Sequence, residues 1–189
     1  MSLPEFRAWP SIPRLKGSGV TIVTEKIDGT NAIVHVSDDL STVTAGSRSR
    51  WVTPEADNFG FAAWVAENAE LLRGLGPGYH YGEWWGIGIQ RNYGLRERRF
   101  SLFNVGRWSK TPPPVCCSVV PVLAYVDGFE TGKFVELAET LRLTGSHASP
   151  GFMNPEGIVI RHPKSGSLFK YTYDGDKHKW QAAAAAEGA

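Results

Sequence analysis

Short β-rich runs and two longer stretches with helical spacing alternate along this chain. Residues 20–24 (VTIVT) and 32–36 (AIVHV) are rich in β-branched residues and flank the polar turn IDGTN, which predicts two strands meeting at a corner. Residues 42–46 (TVTAG) predict a third strand. From Thr53 to Gly78, Phe61, Trp64, Val65, Asn68 and Leu72 fall on one face at helical spacing, with Pro54 in the first turn and Gly74 near the end, which predicts one long helix. Residues 79–85 and 99–105 read as further strands, TPPPVCC as a proline-rich loop, and 121–126 as another strand. A second helix is expected over 132–143, with Phe134, Leu137, Ala138 and Leu141 facing inward. Residues 157–161 and 167–173 then read as a hairpin turning through HPKSG. The order lacks the regular strand–helix alternation of a doubly wound sheet, so the fold class is α+β with antiparallel sheets flanked by helices.

Composition narrows the picture. At 189 residues with 42% hydrophobic and 21% charged residues, the chain can bury a substantial core. The Ala-rich stretch 181–189 reads as a tail, and residues 1–180 are expected to form one domain, with no accessory domain after Tyr173. A net charge of +1 excludes a global basic field, so any nucleic-acid contact must use local charge. Seven tryptophans supply flat faces that serve equally as core and as stacking surfaces. Cys116 and Cys117 are adjacent and have no zinc spacing around them, which points to a reducing, cytoplasmic compartment. No secretory leader pattern is visible, and no apolar run reaches the ~18 residues of a membrane span.

The chemistry centres on TEKIDGTNAIVHV, where Lys26 stands between Glu25 and Asp28. Alone, Lys-x-Asp-Gly reads as a polar turn with a solvated lysine, since most lysines are surface residues, and only the rest of the chain can make it a nucleophile. Downstream, Glu83 lies in YGEWWG, Glu156 opens EGIVIR before a strand, and Lys170 sits in LFKY on the next strand. In this order the motifs resemble the covalent nucleotidyltransferase superfamily of DNA ligases, RNA ligases and capping enzymes. Within it the chain is most similar to the RNA ligase family, on the branch with the phage ligases of the second type and the kinetoplastid editing ligases. EKIDGTN matches that branch in having Gly-Thr-Asn, GSRSR resembles its arginine motif, and RFSLFNV its aromatic strand, with Asn104 where Asp is common.

The resemblance implies a nucleotidyltransferase core that uses ATP and Mg2+ or Mn2+ and acts on RNA ends carrying a 5′-phosphate and a 3′-hydroxyl. It implies that Lys26 is the nucleophile, Lys170 the cation at the α-phosphate, and Glu156 the metal carboxylate. Glu25 would read the base, with Ile27 beside it. Arg48 and Glu83 would hold the ribose, Phe103 would stack on the purine, and Asn31 would serve the polynucleotide-dependent steps. The family's last motif usually offers a second lysine two residues after the first, and Thr172 stands there; Lys177 and Lys179 follow beyond DGD. Physically, a lysine nucleophile must be neutral, so Glu25 and Asp28 are expected to point away from Lys26. The basic segment RNYGLRERR, with Arg91 and Arg96, is a candidate phosphate-backbone contact, or else a solvated loop. A DNA ligase or GTP-using capping-type enzyme, a binding module that lost sealing, and a need for an accessory end-binding protein remain open at this point.

Overall fold

The computed structural model describes residues 19–173. Two sheets face each other. The smaller has the order β10-β9-β1-β8 and the larger β4-β3-β2-β5-β6-β7. Their strands are β1 (Val20–Lys26), β2 (Thr30–Val36), β3 (Val43–Ser47), β4 (Trp51–Val52), β5 (Gly78–Gly86), β6 (Arg98–Leu102), β7 (Cys117–Val119), β8 (Val122–Asp127), β9 (Gly157–Arg161) and β10 (Leu168–Thr172). Every pairing is antiparallel except β6 with β7. That parallel pair adjoins the proline-rich loop, which carries the chain back to start β7 alongside β6. The α+β expectation therefore holds, and the 157–161/167–173 hairpin forms as β9 and β10.

Helices cover the outer faces. The helix α1 (Phe61–Glu67) and the short α2 (Ala69–Leu72) cover the larger sheet, where Phe61, Val65, Leu72, Trp84 and Phe100 form one buried cluster. The helix α4 (Thr131–Thr144) covers the smaller sheet through Phe134, Ala138 and Leu141, against Val23, Val126, Ile158 and Ile160. A third cluster, Ile27, Trp85, Tyr93, Val105 and Val120, fills part of the space between the sheets. Burying these apolar side chains away from water drives the fold. Among the described residues no helix is long and apolar enough to cross a membrane.

Two expectations are corrected. The single long helix over 53–78 is broken into a 3-10 turn (Pro54–Ala56), α1, α2 and a second 3-10 turn (Arg73–Leu75). Phe59 and Gly60 take left-handed φ values of 52° and 72°, so the helical path cannot pass through them. Asp57 instead starts the helix, its carboxylate accepting from the Ala62 and Ala63 amides at 2.7 and 3.1 Å. The expected strand 99–105 stops at Leu102, because Asn104 accepts from the Arg107 amide and caps a one-turn helix, α3 (Val105–Trp108). The two cysteines are free, with their Sγ atoms 3.9 Å apart.

Replacing Asp57 with Ala removes the donor-satisfying carboxylate from α1. It should cost about 1 kcal/mol of stability in urea denaturation, with the slope of the transition unchanged.

Candidate active site

The junction between the sheets is the stretch that carries Lys26. β1 ends there in the smaller sheet, the chain turns through Ile27, Asp28 and Gly29, and β2 begins at Thr30 in the larger sheet. Strand alternation sorts the side chains: Thr21, Val23 and Glu25 face α4, whereas Ile22, Thr24 and Lys26 face the space between the sheets. The two neighbours Glu25 and Lys26 thus point to opposite faces of one sheet.

Glu25 is 1% exposed. Its carboxylate accepts from the Ser146 hydroxyl at 2.5 Å and from the His147 and Ala148 amides at 2.8 and 2.9 Å. A buried carboxylate with three donors is well compensated. Glu25 thus fastens the loop after α4 to β1. Ile27 is likewise buried, in the cluster between the sheets, so its side chain is core.

Lys26 Nζ lies 2.7 Å from Glu156 Oε2, with side-chain exposures of 24% and 16%. The pairing follows from register: Gly157, the first residue of β9, is the partner of Lys26 on β1. Burial raises the proton affinity of Glu156, and the neighbouring Lys26 ammonium opposes that rise. The partner carboxylate of Lys26 is therefore Glu156, from a distant strand, and neither sequence neighbour.

The turn is held by groups the chain brings from far away. The Gly29 amide donates to Glu83 Oε1 at 3.0 Å, and the Asp28 amide donates to the Tyr93 hydroxyl at 2.8 Å. The Asp28 side chain pairs with Arg91 at 3.0 Å, and Arg91 also reaches the Asn154 carbonyl. Gly29 is required by close approach: a Cβ there would lie 2.5 Å from the Trp84 carbonyl oxygen. Glu83 is opposite Asn31 in the β2–β5 ladder and is 8% exposed. Burial pushes its carboxyl up to about 7, against the downward pull of Lys26 and of the Gly29 amide.

The remaining expected residues spread around this centre. Lys170 is exposed and pairs with Val159, so both share the cleft face of the smaller sheet with Lys26. Phe103 is 40% exposed and lines a cavity of about 490 Å3 with Tyr79, Tyr81, Arg161 and Leu168. Arg48 is exposed in the β3–β4 turn, directly after Ser47, the partner of Ala32, and so near the Asn31 end of the larger sheet. Arg96 is exposed, whereas Arg91 is committed to Asp28 and Tyr93 is 1% exposed; the basic segment is thus mainly a brace for the Lys26 turn. Lys177 and Lys179 lie outside the described residues. Among the described residues no three His, Cys, Asp or Glu side chains gather into a metal cage. Mg2+ or Mn2+ does not need one, since such ions bind through one or two carboxylates, waters and substrate phosphates; Glu156 suits that role.

The family model described as RNA ligase matches residues 19–172. The chain belongs to the RNA ligase family. Solved structures of Naegleria gruberi RNA ligase share its fold. One mutant with ATP and Mn superposes with a TM-score of 0.66 at 19% identity, covering 94% of this chain and 59% of that one. An apo mutant of the same enzyme gives 0.64 at 20% identity, covering 87% and 52%. A further mutant with ATP and Mn gives 0.63 at 19%, covering 87% and 53%. The chain spans a little over half the length of these structures. No curated protein matches it by sequence.

The raised carboxyl of Glu83 has a measurable sign. Folding holds its proton more tightly than the unfolded chain does, so this contribution to stability is full below about 4.5 and is lost as pH rises through about 7. Glu83→Gln keeps an acceptor for the Gly29 amide but cannot ionise. Its stability relative to the parent should improve between pH 5 and pH 8, by on the order of 3 kcal/mol in urea denaturation.

Proposed function

We propose that this chain is the nucleotide-transferring unit of an ATP-dependent RNA ligase. The observation that carries the reading is Lys26 Nζ set in the cleft at 2.7 Å from Glu156, on a turn fixed by Glu83 and Tyr93. In the first step the neutral Lys26 amine attacks the α-phosphorus of ATP. A phosphorus–nitrogen bond forms, the bond to the bridging oxygen breaks, and pyrophosphate leaves. The proton shed by Lys26 has Glu156 as its immediate acceptor, whose affinity for it burial raises. Lys170, two strands away on the same face with β9 between, supplies positive charge where the transition state builds negative charge.

A divalent ion held by Glu156, waters and phosphate oxygens would add charge neutralisation at the α-phosphate. Phe103 offers a ring face to the adenine in the cavity it lines, and Arg48 a cation near the sugar–phosphate. In the later steps AMP passes to a 5′-phosphate end and a 3′-hydroxyl displaces it. Asn31, exposed and across from Glu83, is our candidate for orienting that end, with Arg96 as a backbone contact. End binding through a further domain or an accessory protein, and a reducing cytoplasmic setting, belong to the same proposal, as does a single domain over 1–180. Thr172 in place of a second lysine favours one rival, a fold-retaining binding module.

Incubation with Mg2+ and ATP labelled at the α-phosphate should leave acid-labile label on the denatured protein. Lys26→Ala should abolish it, and Lys170→Ala should slow its appearance by about 100-fold. Persistence of label in Lys26→Ala would sink the mechanism, and transfer of label from GTP alone would favour the capping class. Nicked RNA, nicked DNA and single-strand ends then rank the substrates for sealing.

A further inference from the structure

Beyond the residues above, the cleft face of the larger sheet carries a continuous band of exposed rings. Alternation puts Asn31, Ile33 and His35 of β2, and Tyr79, Tyr81 and Glu83 of β5, on this face. Trp51 joins them from the edge strand β4. It can lie flat across the sheet because its register partner is Gly46: a Cβ there would stand 3.1 Å from the Trp51 ring. Trp51 stacks beside Tyr79 with centroids 6.2 Å apart and planes 27° apart, and Tyr79 beside Tyr81 at 6.3 Å and 15°. His35 fills the space between, 4.5 Å from Tyr79 and 5.9 Å from Trp51.

These rings are not core. Trp51, Tyr79 and Tyr81 are 49%, 56% and 55% exposed, and leaving three large aromatic side chains half in water forgoes burial that the fold could have used. Cations flank the band on two sides, and Asp38 and Asp39 are exposed in the β2–β3 turn at its far end. Arg48 and Arg50 stand exposed in the β3–β4 turn at one side, and Arg161 and Lys170 are exposed on the facing strands β9 and β10. Glu83 is the carboxylate on this face, and it is buried. At roughly 3.4 Å per residue, the band starts about 7 Å from the Asn31–Glu83 pair and extends to about 14 Å.

We infer that this band is a stacking platform for unpaired bases of the RNA strand whose end is sealed, with the flanking arginines and Lys170 meeting its phosphates. Parallel ring faces edged by cations are how proteins hold single strands without reading sequence. The inference rests on the RNA ligase reading and adds to it a preference for ends whose neighbouring nucleotides are single-stranded.

The test is fluorescence anisotropy of the protein with a labelled, 5′-phosphorylated single-stranded RNA and with a blunt RNA duplex. Trp51→Ala and Tyr79→Ala should each weaken binding of the single strand by about tenfold, with the ratio persisting as salt is raised. Trp51→Phe, which keeps a ring, should stay within about threefold of the parent. Duplex binding should be unchanged in both, and labelling of Lys26 by ATP should be unchanged in Trp51→Ala, whose ring lies outside the cavity that Phe103 lines. Unchanged single-strand affinity, equal losses on the duplex, or a Trp51→Phe defect as large as that of Trp51→Ala would overturn the platform. So would a change in oligomeric state in the alanine variants with RNA affinity intact, which would mark a protein-facing patch. Failure of the parent to take label, with the anisotropy pattern as expected, would fault the ligase reading and leave the platform standing.

Discussion

A three-residue turn joins two sheets, and its amides must be satisfied inside the protein. The Gly29 amide meets Glu83 and the Asp28 amide meets the Tyr93 hydroxyl. Gly29 can approach β5 this closely only because it has no Cβ. These contacts fix where β1 stops and β2 starts. That in turn fixes which face of the smaller sheet Lys26 occupies and how the two inner faces oppose each other. The cluster of Ile27, Trp85 and Tyr93 packs directly beneath, so the polar pins and the apolar core between the sheets hold the same junction.

Charge is partitioned with the same economy. Glu25, Lys26 and Asp28 are near neighbours in sequence, yet each has a separate partner: Ser146 with two amides, Glu156, and Arg91. Strand alternation does most of this work, by turning Glu25 to the α4 side. Around Lys26 this leaves one cation and one carboxylate in contact, with a second carboxyl, Glu83, that burial raises to about 7. A small change in local potential therefore acts on one carboxyl, Glu83, already near its point of ionisation.

Much of this was legible from residue pattern. The strands on either side of IDGTN, the hairpin bearing Lys170 and the helix over α4 follow from periodicity, and the spaced motifs marked Lys26, Glu83 and Glu156. What could not be read depended on tertiary partners. Apolar spacing continues smoothly through Phe59 and Gly60, so nothing local announced their left-handed backbone, and Asp57, which meets the Ala62 and Ala63 amides, lies three residues before the N-cap Gly60, outside the position where a cap is read from sequence. Arg91 looked like a cation for phosphate because its partner, Asp28, is 63 residues away in sequence. Tyr93 shared that basic stretch and became core for the same reason. The aromatic band on β2, β4 and β5 was invisible for a different cause: its rings are scattered in sequence, and only the strand register gathers them.

The location of Lys26 at the junction has a mechanical consequence. If the cleft widens or narrows by rotation of one sheet against the other, the two short links between them, the turn from β1 to β2 and residues 120–121 from β7 to β8, lie near the pivot, and points near a pivot travel least. Lys26 would keep its position while groups farther out along the strands, such as Phe103 on one side and Leu168 on the other, swing through larger arcs. A side chain placed at such a fulcrum keeps its aim while the two inner faces part and approach.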